Sequence, residues 1–419
     1  MHIIRSIKKS KLYISIIISI SLLVLIIILA SIAGDSKGDQ VETSNQDKTS
    51  ESEVESELDP DIEKGYELSH GECEGRGSVT LSTSPMKESD FSYIIPYGLM
   101  VGAHVTPIDH MYFVPADWDS PRDAYEVMAM ADARIVSLEY RGDNTSGEDG
   151  EYRIVFSHTC TFFTYFDLVT SLKPSLEEEF EKNRSGNYAS INISVTEGEL
   201  IGYIGGQTLD FAVWDTETEL EGFVIPEHYD SEPWKIYTAD PYNYCSEELS
   251  EFLTERNIRT AEPIAGKIDY DVDGRLVGNW FLEGTNGYQG LDQNNYWSGH
   301  LSFVYNHIDP DAVIISIGDF EGEAKQFAVE GNEPDPRDVD TSSELIKYTL
   351  VDFEYEKTNG ESWDRMSFEK NLKLEGCSQI HGCMLVQMIE DRKIEVEVFS
   401  DVNCSEVNRF TKNSKIYER

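Results

Sequence analysis

The sequence predicts a mainly β protein in which one N-terminal transmembrane helix precedes two β-rich domains. Between residues 93 and 214, short apolar runs alternate with turn residues, as expected for a β-sheet domain. Near the C-terminus, residues 394–399 (IEVEVF) alternate apolar and acidic side chains, which is the pattern of a half-buried strand. A long apolar run near the N-terminus provides the candidate membrane span.

The N-terminal segment predicts where the protein is located. Residues 1–12 are basic, and residues 13–33 form an uninterrupted apolar run that can cross a bilayer, which takes roughly 20 helical residues. Because acidic residues follow the run, we expect a cytoplasmic N-terminus and an extracytoplasmic remainder, as in a single-pass plasma-membrane protein. A cleaved signal peptide is the alternative, since Ser31 and Ala33 suit a cleavage site. However, the run exceeds the usual apolar core of about 7 to 15 residues.

The chain beyond the apolar run divides into three predicted parts. Residues 34–64 are polar and mostly acidic, with almost no large apolar side chain, which predicts a disordered stalk. The rest exceeds the usual length of one domain and predicts two. We place the first at residues 65–260 and the second, of unassigned role, at residues 261–419.

The composition excludes one class of partner. The formal net charge is −44 at pH 7. Binding to nucleic acid phosphates needs clustered Lys and Arg, so a nucleic acid partner is not expected. Solubility, mutual repulsion at a crowded surface or adaptation to salt accounts for such a charge.

The cysteines and sequons fit an extracytoplasmic location. All six cysteines follow the apolar run, on the side of the membrane where disulfides persist. Cys377, Cys383 and Cys404 lie close together in the sequence, which predicts at least one short disulfide there. There is no CxxC pair for a structural zinc site. Four N-x-S/T sequons predict a glycoprotein, at Asn144, Asn183, Asn192 and Asn403.

Strands and helices can be placed along both domains. Ser175 and Glu178 have the capping-box spacing at the start of a predicted helix over residues 175–180, and residues 246–256 predict a second helix. In the second domain, residues 384–389 and 394–399 are expected to pair as a hairpin. The predicted strands of the first domain are residues 125–130, 133–138, 152–156, 161–168, 191–195, 201–204 and 209–214.

Five segments of the first domain stand in a recognisable order. They are residues 104–110 (HVTPIDH), 125–136 (YEVMAMADARIV), 158–168 (HTCTFFTYFDL), 197–205 (EGELIGYIG) and 208–213 (TLDFAV). This set resembles the lysostaphin-type (LytM-like) zinc metallopeptidases, whose β domain is also called the duplicated hybrid motif. The resemblance covers a little over a quarter of the chain.

The resemblance implies a zinc ion held by two imidazoles and a carboxylate, with one position open for water. The zinc would lower the pKa of that water and polarise the scissile carbonyl. Here the residues depart from the family pattern. His104 and Asp109 are separated by four residues instead of three, Asp210 stands near the place of a zinc-binding histidine, and Asp167 replaces the histidine of the Y-x-H-L segment. The candidate metal ligands are therefore His104, Asp109, His110 and Asp210.

Two interpretations follow from these departures. In one, the candidate ligands still hold a divalent ion, and the carboxylates shift their preference from zinc toward harder ions. In the other, the metal site has decayed and the β fold survives as a binding or structural module. The lost histidines favour the second. In a strand, Asp109 and His110 would point to opposite faces, whereas in a turn both could face one site.

Two further candidates have plainer alternatives. His158 is a candidate catalytic histidine, and the alternative is a hydrogen-bonded strand histidine beside Cys160. Asp269, Asp271 and Asp273 have the D-x-D-x-D-G opening of a calcium loop, but Trp280 stands where the loop needs glutamate. A plain acidic turn is therefore the favoured interpretation there.

The sequence thus predicts a membrane-anchored cell-envelope protein with a degenerate, non-catalytic metallopeptidase-like domain. Its expected partners are the membrane, through the N-terminal helix, and a cell-wall peptide, glycan or surface protein. The alternative is a metal-dependent endopeptidase that cleaves cell-wall or surface peptides.

Overall fold

A computed structural model describes residues 59–142 and 150–419. The predicted cytoplasmic segment, the apolar run, most of the predicted stalk and the Asn144 sequon lie outside these ranges. Among the helices within them, none has the length and apolarity that a bilayer crossing requires. The regular structure there is mainly β, with three α-helices.

The first helix, α1 (Pro60–Ser69), begins inside the segment that the sequence assigned to the disordered stalk. The side chain of Asp59 accepts a hydrogen bond from the Asp61 backbone N–H, and Pro60 occupies the first helical position. Both features favour a helix start, because the proline ring fixes φ and the cap pairs a free donor. Residues 60–64 are therefore helical, and the predicted stalk boundary at residue 64 is wrong.

The other two helices lie where the sequence predicts them. The helix α2 (Pro174–Asn183) buries Leu176 and Phe180 but does not use Ser175 as its cap, because Pro174 already occupies the first helical position and Lys173 precedes it. The helix α3 (Glu247–Arg256) is capped by Ser246, whose hydroxyl accepts from the Leu249 N–H.

Within residues 59–142 and 150–260, eleven strands form two antiparallel sheets. An open sheet has the order β1-β2-β10-β6-β5-β4-β8, with β11 paired to β10, and a small sheet has the order β3-β9-β7. The strands are β1 (Phe91–Ile95), β2 (Met111–Pro115), β3 (Tyr125–Met128), β4 (Ala133–Arg141), β5 (Glu151–Ser157), β6 (Phe162–Val169), β7 (Ser171–Leu172), β8 (Tyr188–Val195), β9 (Leu200–Ile204), β10 (Leu209–Asp215) and β11 (Thr238–Ala239).

The second part of the chain forms a closed antiparallel barrel of eight strands, in which each strand pairs with the next and the last with the first. The predicted hairpin is confirmed within it, with longer strands than expected. The strands are β12 (Gly278–Leu282), β13 (His300–Tyr305), β14 (Val313–Phe320), β15 (Glu323–Val329), β16 (Ile346–Glu356), β17 (Lys373–Glu390), β18 (Lys393–Ser400) and β19 (Lys415–Glu418).

Two large hydrophobic cores and a smaller third cluster hold these parts together. One core belongs to the open sheet and the other fills the barrel. The third cluster joins Tyr93 of β1 to Tyr355 of β16, through residues such as Trp363. Disulfides join Cys73 to Cys160 and Cys383 to Cys404, and the second confirms the short disulfide expected near the C-terminus.

Candidate functional site

Three of the four candidate metal ligands meet on one face of the open sheet. Asp109 and His110 directly precede β2, and Asp210 is the second residue of β10. These two strands pair so that Asp210 lies opposite Tyr112. Because side chains alternate along a strand, Tyr112 and Asp210 share a face. The His110 ring lies against Tyr112, with 4.9 Å between centroids, and so reaches the same face.

His110 connects the two carboxylates. Its Nε2 lies 3.2 Å from Asp210 Oδ2, and its Nδ1 lies 3.6 Å from Asp109 Oδ1. The Thr208 hydroxyl donates to the other oxygen of Asp210 at 3.3 Å. Residues 109 and 110 lie outside the strand, so adjacent side chains can both point toward the same site. The turn alternative for this pair is therefore the one that the structure adopts.

A lysine completes this site from above the sheet. It belongs to the short 3₁₀ helix Pro233–Tyr237. Lys235 Nζ lies 2.8 Å from Asp109 Oδ1 and 3.1 Å from Glu232 Oε2. The indole N–H of Trp234 donates to Asp109 Oδ2 at 3.1 Å. Both Asp109 oxygens are thus occupied by donors from one segment. We call Asp109, His110, Asp210 and Lys235 the Asp109 cluster.

The Asp109 cluster is almost completely removed from solvent. Asp109, His110, Asp210 and Lys235 are respectively 3%, 8%, 5% and 5% exposed. Buried charges require partners, and each charge here has one of the opposite sign. A group that attacks or protonates a substrate must reach it, and these side chains are covered by the 3₁₀ helix and the Tyr288 ring, over which Lys235 Nζ lies at 4.9 Å.

The charges fix the protonation states in the cluster. Burial alone would lower the pKa of His110, but the Asp210 and Asp109 carboxylates outweigh it and raise the pKa to about 9. Burial likewise opposes ionisation of Asp109, but the Lys235 ammonium and His110 hold its pKa well below the usual range. Burial would also lower the pKa of Lys235, yet Asp109 keeps it well above normal. These shifts favour cationic His110 and Lys235 and anionic Asp109 at neutral pH, whereas burial raises the pKa of Asp210 against the pull of His110.

A second buried ion pair lies beside the cluster. Asp167 on β6 stands opposite Asp210 on β10. Asp167 Oδ2 accepts from Arg153 Nε at 2.9 Å and lies 2.8 Å from Arg141 Nη1. The Arg153 guanidinium also lies over the Tyr165 ring, 5.1 Å from its centroid. The position where the family pattern has a histidine is thus an aspartate that binds two arginines.

His104 and His158 stand apart from the Asp109 cluster in different ways. His104 is exposed at its rim, and its ring centroid is 6.4 Å from that of His110. His158 has both ring nitrogens within hydrogen-bonding distance of protein oxygens, the Asp132 carbonyl at 2.9 Å and the Thr164 hydroxyl at 3.0 Å. Burial lowers the pKa of His158 to about 4. These contacts match the hydrogen-bonded alternative for His158.

The donor atoms of the cluster are paired with one another and do not surround a shared ion position. Zinc ligands must be deprotonated, and the flanking carboxylates instead raise the pKa of His110. Zinc would also need to lie about 2.0 to 2.2 Å from a carboxylate oxygen, and the Asp109 oxygens already hold the Lys235 ammonium and the Trp234 indole. In the described ranges, no group of three or more His, Cys, Asp and Glu side chains is arranged to hold a metal ion.

The calcium candidate has a similar arrangement of paired charges. Asp269 accepts from Lys267 at 2.5 Å, and Asp273 pairs with Arg392 at 2.8 Å. Asp271 is buried, accepts from the Asn279 N–H at 2.7 Å and lies 3.5 Å from the Arg419 guanidinium. Each carboxylate thus has its own cationic partner, and the three do not form a shared cation site.

Sequence reasoning did not identify Lys235, Trp234 or Arg153. Lys235 is 126 residues from Asp109 in the chain and carries no motif. The one available signal is its position in the run PWKIY, where a lysine among apolar residues must either find an anion or reach solvent.

No family model matches the chain, and no curated protein matches it. Similar solved structures include Helicobacter pylori Csd3 from an orthorhombic crystal, at 14% identity and a TM-score of 0.24 over 42% of this chain and 40% of that one. Csd3 from a hexagonal crystal is 16% identical, with a TM-score of 0.21 over 33% of this chain and 31% of that one. The solution structure of lysostaphin is 11% identical, with a TM-score of 0.22 over 82% of this chain and 92% of that one.

The chain thus spans about 40% of the length of the Csd3 chain from the orthorhombic crystal. TM-scores of 0.21 to 0.24 are too low for these alignments to carry any argument about activity or the role of a residue. The chain is a mainly β protein with a closed eight-stranded barrel, and lysostaphin and Csd3 are among its distant structural neighbours.

Proposed function

We propose that this protein is a membrane-anchored cell-envelope protein whose lysostaphin-like β domain is a non-catalytic binding or structural module. The observation that carries the proposal is the buried ion pair between Lys235 and Asp109, at 2.8 Å. In this proposal, the lysine ammonium provides the positive charge that a zinc ion provides in the metallopeptidase family. The cluster then stabilises the fold and performs no hydrolysis.

Electrostatics supports the proposal that the Lys235 ammonium replaces a zinc ion at this site. A buried carboxylate without a cationic partner costs several kcal/mol, so Asp109 and Asp210 need positive charge nearby whether or not a metal is present. Lys235 and protonated His110 supply it. A divalent ion entering the same space would be repelled by both cations, and it could bind only if His110 lost its proton and Lys235 moved away.

The proposed location is supported by observations on the described residues. The two disulfides are typical of an oxidising compartment outside the cytoplasm. The sequon asparagines Asn183, Asn192 and Asn403 are exposed, as glycan attachment requires. The apolar run at residues 13–33 is the proposed anchor.

The alternative function is a metal-dependent endopeptidase. It is favoured by the convergence of Asp109, His110 and Asp210, three residues that the family resemblance selected from distant parts of the sequence. In this alternative, these residues would hold the ion, and its bound water would attack the scissile carbonyl. The Lys235 ammonium would have to leave Asp109 first.

Metal analysis of the full-length protein distinguishes the non-catalytic module from the metal-dependent endopeptidase. The protein is equilibrated with zinc chloride, desalted and analysed for zinc per chain, alongside Asp109→Asn, Asp210→Asn and the exposed control Asp119→Asn. We expect no stoichiometric zinc in any of the four, and no change in thermal midpoint on adding a chelator. One zinc per chain that is lost in Asp109→Asn and Asp210→Asn but retained in Asp119→Asn would contradict the proposal.

A further inference from the structure

A second site candidate lies at the boundary between the open sheet and the barrel, and no residue of the Asp109 cluster lines it. A cleft of about 830 Å³ is enclosed there by residues from β1, the segment before β2, β16 and the loop after β16. We call it the boundary cleft. Its volume is within the usual range of small-molecule sites, roughly 300 to 1,000 Å³.

The floor of the boundary cleft is rigid. The Trp363 ring packs edge-on against Tyr93 and Tyr355, with centroid distances of 5.9 and 5.8 Å. The Tyr93 hydroxyl donates to the Arg365 carbonyl at 2.8 Å. Gln326 also lines the cleft, and its side chain both donates to and accepts from the Gly102 backbone at 3.0 Å, which fixes the segment before β2. The cleft is thus held open by packing and hydrogen bonds before any ligand arrives.

The boundary cleft also contains a histidine ring that the protein leaves without a hydrogen bond. His307 lines the cleft and is only 6% exposed, and its ring makes no hydrogen bond within the described residues. The ring nitrogens of His307 are therefore free to bond to a polar ligand that enters the cleft.

Arg365 supplies a positive charge to the lining of the cleft. Its guanidinium lies over the Tyr355 ring, 5.3 Å from the centroid, and makes no ion pair with a described carboxylate. Arg365 also lies near His307, since burial and then the Arg259 and Arg365 charges lower the pKa of His307 to about 3.

Two carboxylates and an amide also line the cleft. Asp352 and Glu354 are exposed on β16; one oxygen of Asp352 lies 2.8 Å from His381 Nε2, and one oxygen of Glu354 accepts from the Ser362 hydroxyl at 3.0 Å. The second oxygen of each carboxylate and the Gln379 amide are the acceptors that the cleft offers. The half-buried side chains of Trp118 and Phe353 add apolar surface.

We propose that the boundary cleft binds an acidic saccharide, with its carboxylate on Arg365, its hydroxyls on Asp352 and Glu354, and its ring against Trp118 and Phe353. A guanidinium recognises a carboxylate through two parallel hydrogen bonds. Hydroxyl groups donate to carboxylates and amide oxygens. An aromatic surface matches the flat, apolar face of a sugar ring. A purely apolar ligand would leave His307 and Arg365 unpaired, and a purely cationic one would be repelled by Arg365.

Calorimetry on the full-length protein tests this with three probes: trigalacturonate, the neutral trisaccharide maltotriose and the acidic peptide tri-aspartate. We expect trigalacturonate to bind at least tenfold more tightly than the other two. In Arg365→Gln its affinity should fall at least tenfold, and in Arg365→Lys, which keeps the charge, it should fall less. The matched control is Arg337→Gln, since Arg337 also lies over a tyrosine ring but outside the cleft. Its affinity should equal that of the wild type.

Three results would overturn the inference: no binding of trigalacturonate at millimolar concentration, equal binding of maltotriose or tri-aspartate, or unchanged affinity in Arg365→Gln. Because the Arg365 side chain is exposed, the variants should keep the wild-type thermal midpoint, which is measured first. The inference uses no residue of the Asp109 cluster, so it can fail without affecting the proposed function.

Discussion

At the scale of single residues, Lys235 is the main cationic partner of Asp109 in the candidate metal site. Its ammonium is buried, pairs with Asp109 and Glu232, and lies over an aromatic ring. Burying two charges is costly, and their attraction offsets that cost only when the geometry is good and the remaining polar atoms are paired. Trp234 satisfies the second oxygen of Asp109. Removing one member of such a pair leaves an uncompensated buried charge.

Replacing Lys235 by methionine should therefore destabilise the protein by about 3–5 kcal/mol, because Asp109 loses its main cationic partner. Urea unfolding measures the loss. The control is Lys412→Met, an exposed lysine without an ion pair in the described residues, which should change stability by less than about 0.5 kcal/mol. In the double variant Lys235→Met with Asp109→Leu, part of the loss should be recovered. A loss in Lys235→Met as small as in the control would show that the pair contributes little.

The raised pKa of His110 predicts that the free energy of unfolding depends on pH. Its pKa rises from about 6.5 in the unfolded chain to about 9 in the folded one, so the folded state binds the proton more tightly. The stability this contributes, about 3 kcal/mol, is fully present below pH 6.5 and is lost as the pH rises through 9. Urea unfolding between pH 6 and 10 should show this decline in the wild type and a flatter dependence in His110→Gln. Equal slopes in the two proteins would contradict the assignment.

At the scale of secondary structure, much of the first domain could be predicted from local patterns. The seven predicted strands coincide with β3 to β6 and β8 to β10, and the Ser246 cap begins α3 as expected. The errors are also local. Ser175 is not the cap of α2, because Pro174 starts that helix, and Pro60 starts α1 inside the predicted stalk. Closure of the barrel in the second domain was not predicted, because pairing of its first and last strands joins residues far apart in the sequence.

In the candidate site too, contacts between residues far apart in the sequence could not be predicted. The resemblance selected Asp109, His110 and Asp210, and these three residues meet. Their chemistry could not be predicted, because it depends on Lys235 and Trp234, which reach Asp109 from a 3₁₀ helix more than 120 residues away. Motif spacing encodes contacts within a sheet, but gives no information about an irregular segment that packs on top of it.

The cap of α3 provides a test at this scale. Ser246→Ala removes the hydroxyl that accepts from the Leu249 N–H, which should cost about 1 kcal/mol. Ser250→Ala, in the interior of the same helix, should be neutral or slightly stabilising, because alanine has the higher helix propensity. Thermal unfolding of both variants measures the difference. If Ser246→Ala is as stable as Ser250→Ala, the cap does not contribute.

At the scale of the whole molecule, the net charge of −44 is the dominant electrostatic property. Like charges on a compact protein repel each other and destabilise the folded state, and salt screens exposed charges over a Debye length of about 10 Å at 0.1 M. The buried ion pairs are screened far less. Salt should therefore relieve surface repulsion while leaving the Asp109 cluster intact.

We expect the thermal midpoint to rise between 10 and 500 mM sodium chloride, by about 2–4 °C for each kcal/mol of repulsion screened. The rise should be equal in the wild type and in Lys235→Met, because the cluster is buried. Scanning calorimetry at a series of salt concentrations measures it. A midpoint that falls with salt would mean that exposed ion pairs outweigh the repulsion.

The proposed function requires that a protonated His110 and Lys235 supply the positive charge of the Asp109 cluster in place of a metal ion. Nitrogen-15 NMR of the histidine rings in the full-length protein tests it most directly, with the His110 signals assigned by their absence in His110→Gln. The account predicts a doubly protonated His110 ring at pH 7 that titrates near pH 9 and is unaffected by equimolar zinc. A neutral ring at pH 7 whose signals shift on adding zinc would contradict it.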